Sequence, residues 1–129
     1  NHMVLADVAT SFGLTGRQAE STLRAAGLTL NRNALPFDVN GPWYTSGLRL
    51  GTPAITTLGM GSAEIEEIAE VMSDVLRATT PVVTNGTPSK AKSITEPRAE
   101  TEARSRIAEL CQKFPVYPEI DLSIIDPTA

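Results

Sequence analysis

Apolar positions along this chain change their period several times, and each change marks a predicted element. Met3 to Val8 is a mostly apolar run, short enough for one strand, and Gly13 ends that segment. Thr15-Gly16-Arg17-Gln18 has capping-box spacing, with Thr15 as N-cap and Gln18 at the third helical position. Leu14, just before the cap, can staple onto Ala19. The spacing predicts a helix to about Ala26 that buries Ala19, Leu23 and Ala26, with Gly27 closing it in the left-handed conformation. Leu28-Thr29-Leu30 predicts a short strand, and Asn31 to Pro42, rich in Asn, Pro, Asp and Gly, predicts a loop. Trp43 to Leu50 alternates well enough for another sheet strand. Gly51-Thr52-Pro53 is a stop followed by a start, because Pro is tolerated in a first helical turn, so a short helix should end near Gly59.

Helical spacing is clearest from Ser62 to Ala78, where Ile65, Ile68, Met72, Val75 and Leu76 fall on one stripe that reads as core. Glu64, Glu66 and Glu67 crowd its first turns and Arg77 its last, which complements the helix dipole. Thr79 to Pro97 loses all period and predicts a flexible inserted loop. A final helix is expected from about Ala99 to Phe114, burying Ala103, Ile107, Leu110, Cys111 and Phe114. Glu100–Arg104 and Glu102–Arg106 stand as i,i+4 pairs on it. Residues 115–129 read as an extended tail. Strands, a helix, strands and two more helices together predict an α+β two-layer sandwich, with a small, mainly antiparallel sheet and helices on one face. Residues 1–129 suit a single domain.

Composition narrows the function classes. The 11 basic and 15 acidic residues give a net charge of −4, with no basic stripe and no alternation with aromatics, which argues against a nucleic-acid partner. No apolar run approaches the ~20 residues that cross a bilayer, and no basic-then-apolar leader opens the chain. Cys111 is the single cysteine, so no internal disulfide forms, and the expected setting is cytoplasmic. In that setting the sequon Asn85-Gly86-Thr87 is chance.

The common catalytic constellations are missing: one His, one Cys, no CxxC, HExxH, GxSxG or Walker loop. His2 reads as solvated or structural and Cys111 as a small buried hydrophobe. Arg49 stands out. It interrupts an apolar strand in Thr45-Ser46-Gly47-Leu48-Arg49-Leu50-Gly51-Thr52-Pro53-Ala54, and a charge there needs a partner. Its planar fork matches a carboxylate, either on a ligand or on an acidic neighbour in the chain.

That segment, with Asn31-Arg32-Asn33-Ala34-Leu35-Pro36-Phe37-Asp38 before it, is similar to the C-terminal small domain of serine hydroxymethyltransferases. Asn1-His2-Met3-Val4-Leu5, Leu14-Thr15-Gly16-Arg17-Gln18-Ala19-Glu20 and Cys111-Gln112-Lys113-Phe114-Pro115-Val116-Tyr117 extend the likeness over most of the chain. The resemblance implies the small domain of an aspartate-aminotransferase-type (fold type I) enzyme that uses pyridoxal 5'-phosphate. Such an enzyme interconverts serine and glycine, with tetrahydrofolate as co-substrate. By motif position Arg49 resembles the arginine that grips the substrate carboxylate, and Asn33 the asparagine that meets the pterin. Gly41, Pro42 and Trp43 match the stretch bordering the folate. Leu58, Met60 and the bulky Trp43-Tyr44 depart from the family pattern.

The resemblance also implies a large domain that holds the cofactor lysine, and a homodimer for the full enzyme. Lys90, Lys92 and Lys113 match no cofactor motif, so no catalytic residue is expected in this chain and the isolated fragment is expected to be inactive. The other reading is a non-catalytic interaction module derived from this domain. Both expect an exposed apolar patch where the large domain would sit.

Overall fold

The structure, a computed structural model, describes residues 1–120. It is a small α+β assembly: a three-stranded antiparallel sheet, a separate hairpin, and helices between them. Strand β1 (Met3–Asp7) runs straight into a short helix α1 (Val8–Phe12), which the strand reading from Met3 to Val8 did not anticipate. Asp7 starts that helix: its carboxylate accepts from Thr10 N at 3.0 Å and from Thr10 Oγ1 at 2.7 Å.

Helix α2 (Gly16–Ala25) begins as the spacing predicts. Gln18 N donates to Thr15 Oγ1 at 3.2 Å and Thr15 N to Gln18 Oε1 at 2.9 Å, a complete capping box. Its end also follows the sequence, with Gly27 at φ 93°. The short strand expected at Leu28–Leu30 is displaced. Those two leucines are half-buried, and the paired residues are Asn31–Asn33, strand β2. Burial of Leu28 and Leu30 needs no ladder, whereas the backbone of Asn31–Asn33 finds one on the next strand. Trp43 and Tyr44 likewise leave the sheet. They form a single turn α3 (Gly41–Tyr44), and strand β3 is confined to Gly47–Gly51. The short helix α4 (Pro53–Thr57) and the long α5 (Ser62–Arg77) lie where the sequence puts them.

Sheet order is β1-β3-β2, so β3 is central. Leu48 on its inner face is fully buried with Val8, Leu14 and Leu23, and Val71 and Val75 of α5 complete the core. Each such side chain contributes roughly 1.5–3 kcal/mol on burial. Of the predicted α5 stripe, Val75 and Leu76 are core, whereas Ile65, Ile68 and Met72 are only partly buried.

Thr79 to Pro97 is not a loop. Strands β4 (Thr79–Thr84) and β5 (Thr87–Thr95) form a hairpin, closed by Asn85 at φ 51° and Gly86 at φ 78°, the two left-handed residues of a type I′ turn. Two side chains of α2 and its N-cap residue hold it. Gln18 Nε2 donates to Ser89 O at 2.6 Å and Lys92 O at 2.9 Å, and Thr15 Oγ1 donates to Lys90 O at 2.7 Å. Thr22 Oγ1 and Thr95 Oγ1 share a hydrogen bond of 2.7 Å. Buried polar groups on α2 and its cap are thereby satisfied by β5, Thr15 and Gln18 by its backbone carbonyls and Thr22 by the Thr95 hydroxyl.

Helix α6 (Pro97–Lys113) packs on α5 through Ala103 and Ile107. Cys111 is exposed rather than buried, because only Leu110 of that last turn still reaches the core margin. The expected pairs within α6 give way to contacts between elements. Arg106 bonds Glu67 at 2.6 Å, Asp74 at 3.2 Å and Glu70 at 3.3 Å on α5, and Arg104 Nη1 donates to Ala25 O. Three carboxylates on a neighbouring helix outcompete one on the same helix, and they hold the Arg106 pKa above its ordinary value. Of the tail, residues 115–120 carry a turn in which Ile120 N donates to Tyr117 O at 3.1 Å, and 121–129 lie outside the described residues.

Candidate functional site

Register decides which residues share the open face of the sheet. Arg49 stands opposite Leu5 on β1 and Asn31 on β2, and Asn33 stands opposite Gly47. Side chains alternate along a strand, so Arg49, Asn31 and Asn33 share one face while Leu48 points into the core. The arginine is exposed and has no ion pair or side-chain hydrogen bond among the described residues. No acidic neighbour among the described residues therefore occupies it. Asn33 is half-buried, its Nδ2 donating to Ala34 O at 2.8 Å.

Beside Arg49 an apolar groove of about 630 Å³ opens between the sheet and α5. Val4, Leu28, Leu50, Ile55, Ile65 and Met72 are among its lining residues, and among the described residues Arg49 is the only charged one. This explains why the α5 stripe is incompletely covered. Met3, Val4 and Leu5 of β1 are also about half exposed, so the apolar patch expected from the sequence is present at this edge.

The Asn33–Thr45 segment is shaped by a residue to which the sequence reading gave no role. Asp38 accepts four hydrogen bonds: Leu35 N at 3.0 Å and Ser46 N at 2.7 Å on Oδ2, Asn40 N at 2.8 Å and Ser46 Oγ at 2.7 Å on Oδ1. Partial burial pushes its pKa up, but the Ser46 hydroxyl and the three backbone donors outweigh that, and the carboxyl is held down to about 2. An aspartate in a Pro/Asn-rich loop is a local turn signal, but nothing in the spacing reveals that its second partner lies at Ser46.

Two glycines let this segment close over the sheet. A Cβ on Gly47 would lie 2.6 Å from Leu35 Cδ2, and one on Gly16 would overlap Thr45 Oγ1 and come within 2.5 Å of Gly47 O. Thr45 itself is buried at φ 57°, a strained angle for a β-branched residue, and its Oγ1 has no partner among the described residues. Its backbone is fixed from both sides: Gly16 N donates to Thr45 O and Thr45 N to Gly41 O, each at 2.9 Å.

Gly41, at φ 69°, and Pro42 set the turn that presents Trp43. That indole is 61% exposed, with the Arg17 guanidinium 5.3 Å and the Arg32 guanidinium 5.7 Å from its centroid. Arg49 and Asn33 thus share the sheet face, while the turn carrying Trp43 packs against α2. Leu58 is partly buried and Met60 buried, so both are packing residues here. Among the described residues no cluster of His, Cys, Asp or Glu is arranged for a metal, and no helix is long and apolar enough to cross a membrane.

An antiparallel sheet with helices on one face, and on the other an arginine unpaired among the described residues, defines a small α+β domain. The serine hydroxymethyltransferase family model matches residues 1–72, and the chain belongs to that family. It is similar to serine hydroxymethyltransferases from Chlamydia muridarum (50% identical over 127 residues) and Salinispora tropica (50% over 123). The one from Treponema pallidum is 52% identical over 122 residues. These matches cover 97%, 95% and 94% of the chain but only 25%, 26% and 21% of the relatives, so the chain spans about a quarter of their length.

Proposed function

We propose that this chain is the C-terminal domain of a serine hydroxymethyltransferase and contributes contacts for the amino-acid substrate and the folate to an active site completed by the rest of the enzyme. One observation carries the reading: an arginine on an open sheet face with no carboxylate partner among the described residues. In this role Arg49 binds the carboxylate of serine or glycine through its two parallel N–H donors. Fixing that end of the substrate fixes the orientation of its α-carbon, an entropic contribution to rate. Asn33, on the same face, offers both a donor and an acceptor to the pterin edge. Gly41, Pro42 and Trp43 border the folate beyond it.

The chain does not itself suit the cofactor. No lysine lines the groove beside Arg49, and Lys113 is drawn to Glu64 at 3.7 Å. In our reading pyridoxal phosphate is therefore held by the large domain, the fragment alone is inactive, and the apolar groove with the β1 edge receives that domain. The full enzyme is a cytoplasmic homodimer on this view.

A test joins this chain to the upstream three quarters of the Chlamydia muridarum relative. The chimera should convert serine to glycine in the presence of tetrahydrofolate, while the chain alone should not. A chimera that folds and takes up pyridoxal phosphate without turnover would favour the alternative, a non-catalytic module.

A further inference from the structure

Thr45 carries two unfavourable features at once. Its backbone sits at φ 57° and ψ 167°, a region that only glycine enters without strain. Its Oγ1 is buried and has no partner among the described residues, although a hydroxyl taken out of water ordinarily finds one. The fold holds the residue there from several sides. Thr45 N donates to Gly41 O and Gly16 N donates to Thr45 O, each at 2.9 Å. A Cβ on Gly16 would overlap Thr45 Oγ1, so the first residue of α2 is bare where this side chain enters. Ser46, the next residue, is bonded to Asp38 through both its N and its Oγ, and Asn40 Nδ2 donates to Ser46 Oγ at 3.0 Å. Location gives the strain a use, because Thr45 is the joint between α3 and β3. β3 is paired on both edges, so Arg49 is held independently of this joint. α3 is a single turn with no buried residue, and its N-cap Asn40 makes no side-chain capping bond. The direction in which it presents Pro42 and Trp43 is therefore set at its two ends, and at the β3 end by the dihedral angles of Thr45.

We propose that Thr45 is a positioning residue: its branched side chain, wedged against Gly16, locks a strained backbone that fixes the α3 turn relative to β3. This rests on the reading of Gly41–Trp43 as the folate border and adds a residue that itself touches no ligand, since Thr45 is only 4% exposed. Bulk at Cβ carries the role, not the hydroxyl. A β-branched side chain has few rotamers and resists rotation of the backbone it sits on. Glycine would accept the same φ and ψ without strain, but it would accept many others as well. The turn would then sample several orientations, and binding would have to order it at a cost in affinity. The residue that relieves the strain is thus the one that fixes the turn least. A merely structural role for Thr45 would move stability and leave the KM of one substrate unchanged relative to the other.

The experiment is steady-state kinetics of the chimeric enzyme with T45G, T45V and T45S, and with W43A as the check on the folate reading. T45G should melt within about 3 °C of the parent, since relieved strain offsets lost packing. It should raise the KM for tetrahydrofolate about tenfold while the KM for serine stays within about twofold. T45V, which keeps the branch and replaces the orphan hydroxyl by a methyl, should hold both KM values within about twofold of the parent. T45S, which keeps the hydroxyl and loses the methyl, should raise the tetrahydrofolate KM about threefold, and it decides the matter if T45G does not fold. Parent-like tetrahydrofolate KM in T45G or T45S, or a rise in T45V equal to that in T45S, would overturn the positioning role. With W43A impaired for tetrahydrofolate, that result leaves the folate reading standing. A parent-like tetrahydrofolate KM in W43A removes both.

Discussion

Replacing Asp38 by Asn is the most informative single change in the scaffold. The side chains are nearly isosteric, so shape is kept while charge and one acceptor are lost. Each carboxylate oxygen accepts two bonds, and an amide must set its NH2 against one pair of donors. On the Oδ2 side it would face two backbone N–H groups, Leu35 and Ser46, which cannot turn away. On the Oδ1 side it would face Asn40 N–H and the Ser46 hydroxyl, and the hydroxyl can rotate to accept. The amide nitrogen therefore settles at Oδ1, and the net loss is the Asn40 bond plus charge assistance to the remaining donors. Bonds to a charged group are worth roughly 1.5–3 kcal/mol, so the expected destabilisation is about 2–3 kcal/mol near neutral pH. Urea unfolding of the 129-residue chain and its D38N variant measures this directly.

A pH series adds a second constraint. Asp38 has a folded pKa of about 2, below the ordinary 3.8. Its contribution is fully present above the ordinary value and is lost as pH falls through the folded one. The gap between parent and D38N should hold from pH 7 to about pH 4 and narrow toward pH 2. A gap under about 0.5 kcal/mol at pH 7, the scatter of ordinary surface substitutions, or one that does not narrow in acid, would refute the four-donor account.

Other perturbations separate the remaining supports. Gly16→Ala drives a methyl into Thr45 Oγ1 and the Gly47 carbonyl; a loss of about 1–3 kcal/mol is expected, read as a lowered melting temperature, and an unchanged one would show that the segment yields freely. Gly86→Ala strains the hairpin turn at φ 78° by about 1 kcal/mol, and hydrogen exchange should quicken in β4 and β5 before α5. Arg106→Ala leaves Glu67, Glu70 and Asp74 repelling one another. With those carboxylates partly to largely solvated, the cost should be only about 1 kcal/mol and should fall at high salt.

Local signals carried much of this structure. The capping box at Thr15, the Gly27 stop, the Pro53 start and the long α5 are short-range features, and the chain obeys them. Arg49 was also visible, because a charge in an apolar strand is conspicuous whatever lies around it. The hairpin was hidden by its own packing. Its inward positions on β5 are Ser89, Ala91, Ser93 and Thr95, small residues against α2, so the two-residue alternation carries little hydrophobic contrast. The Asn85-Gly86 turn signal is present, but it coincides with the sequon Asn85-Gly86-Thr87 and stands between segments of little hydrophobic contrast. Asp38 and the Arg17–Trp43–Arg32 stack depend on residues brought together by the fold, and no period along the chain records them. The α6 pairs failed for the same reason: Arg106 found better partners on α5 than on its own helix.

The central claim concerns whether the guanidinium on β3 meets a substrate. In the chimeric enzyme, Arg49→Ala should raise the KM for serine on the order of 100-fold, as expected for losing a bidentate charged contact, with the absorbance of bound pyridoxal phosphate unchanged. A serine KM within about twofold of the parent value would contradict the assignment, because a group that binds the carboxylate cannot be removed without weakening it.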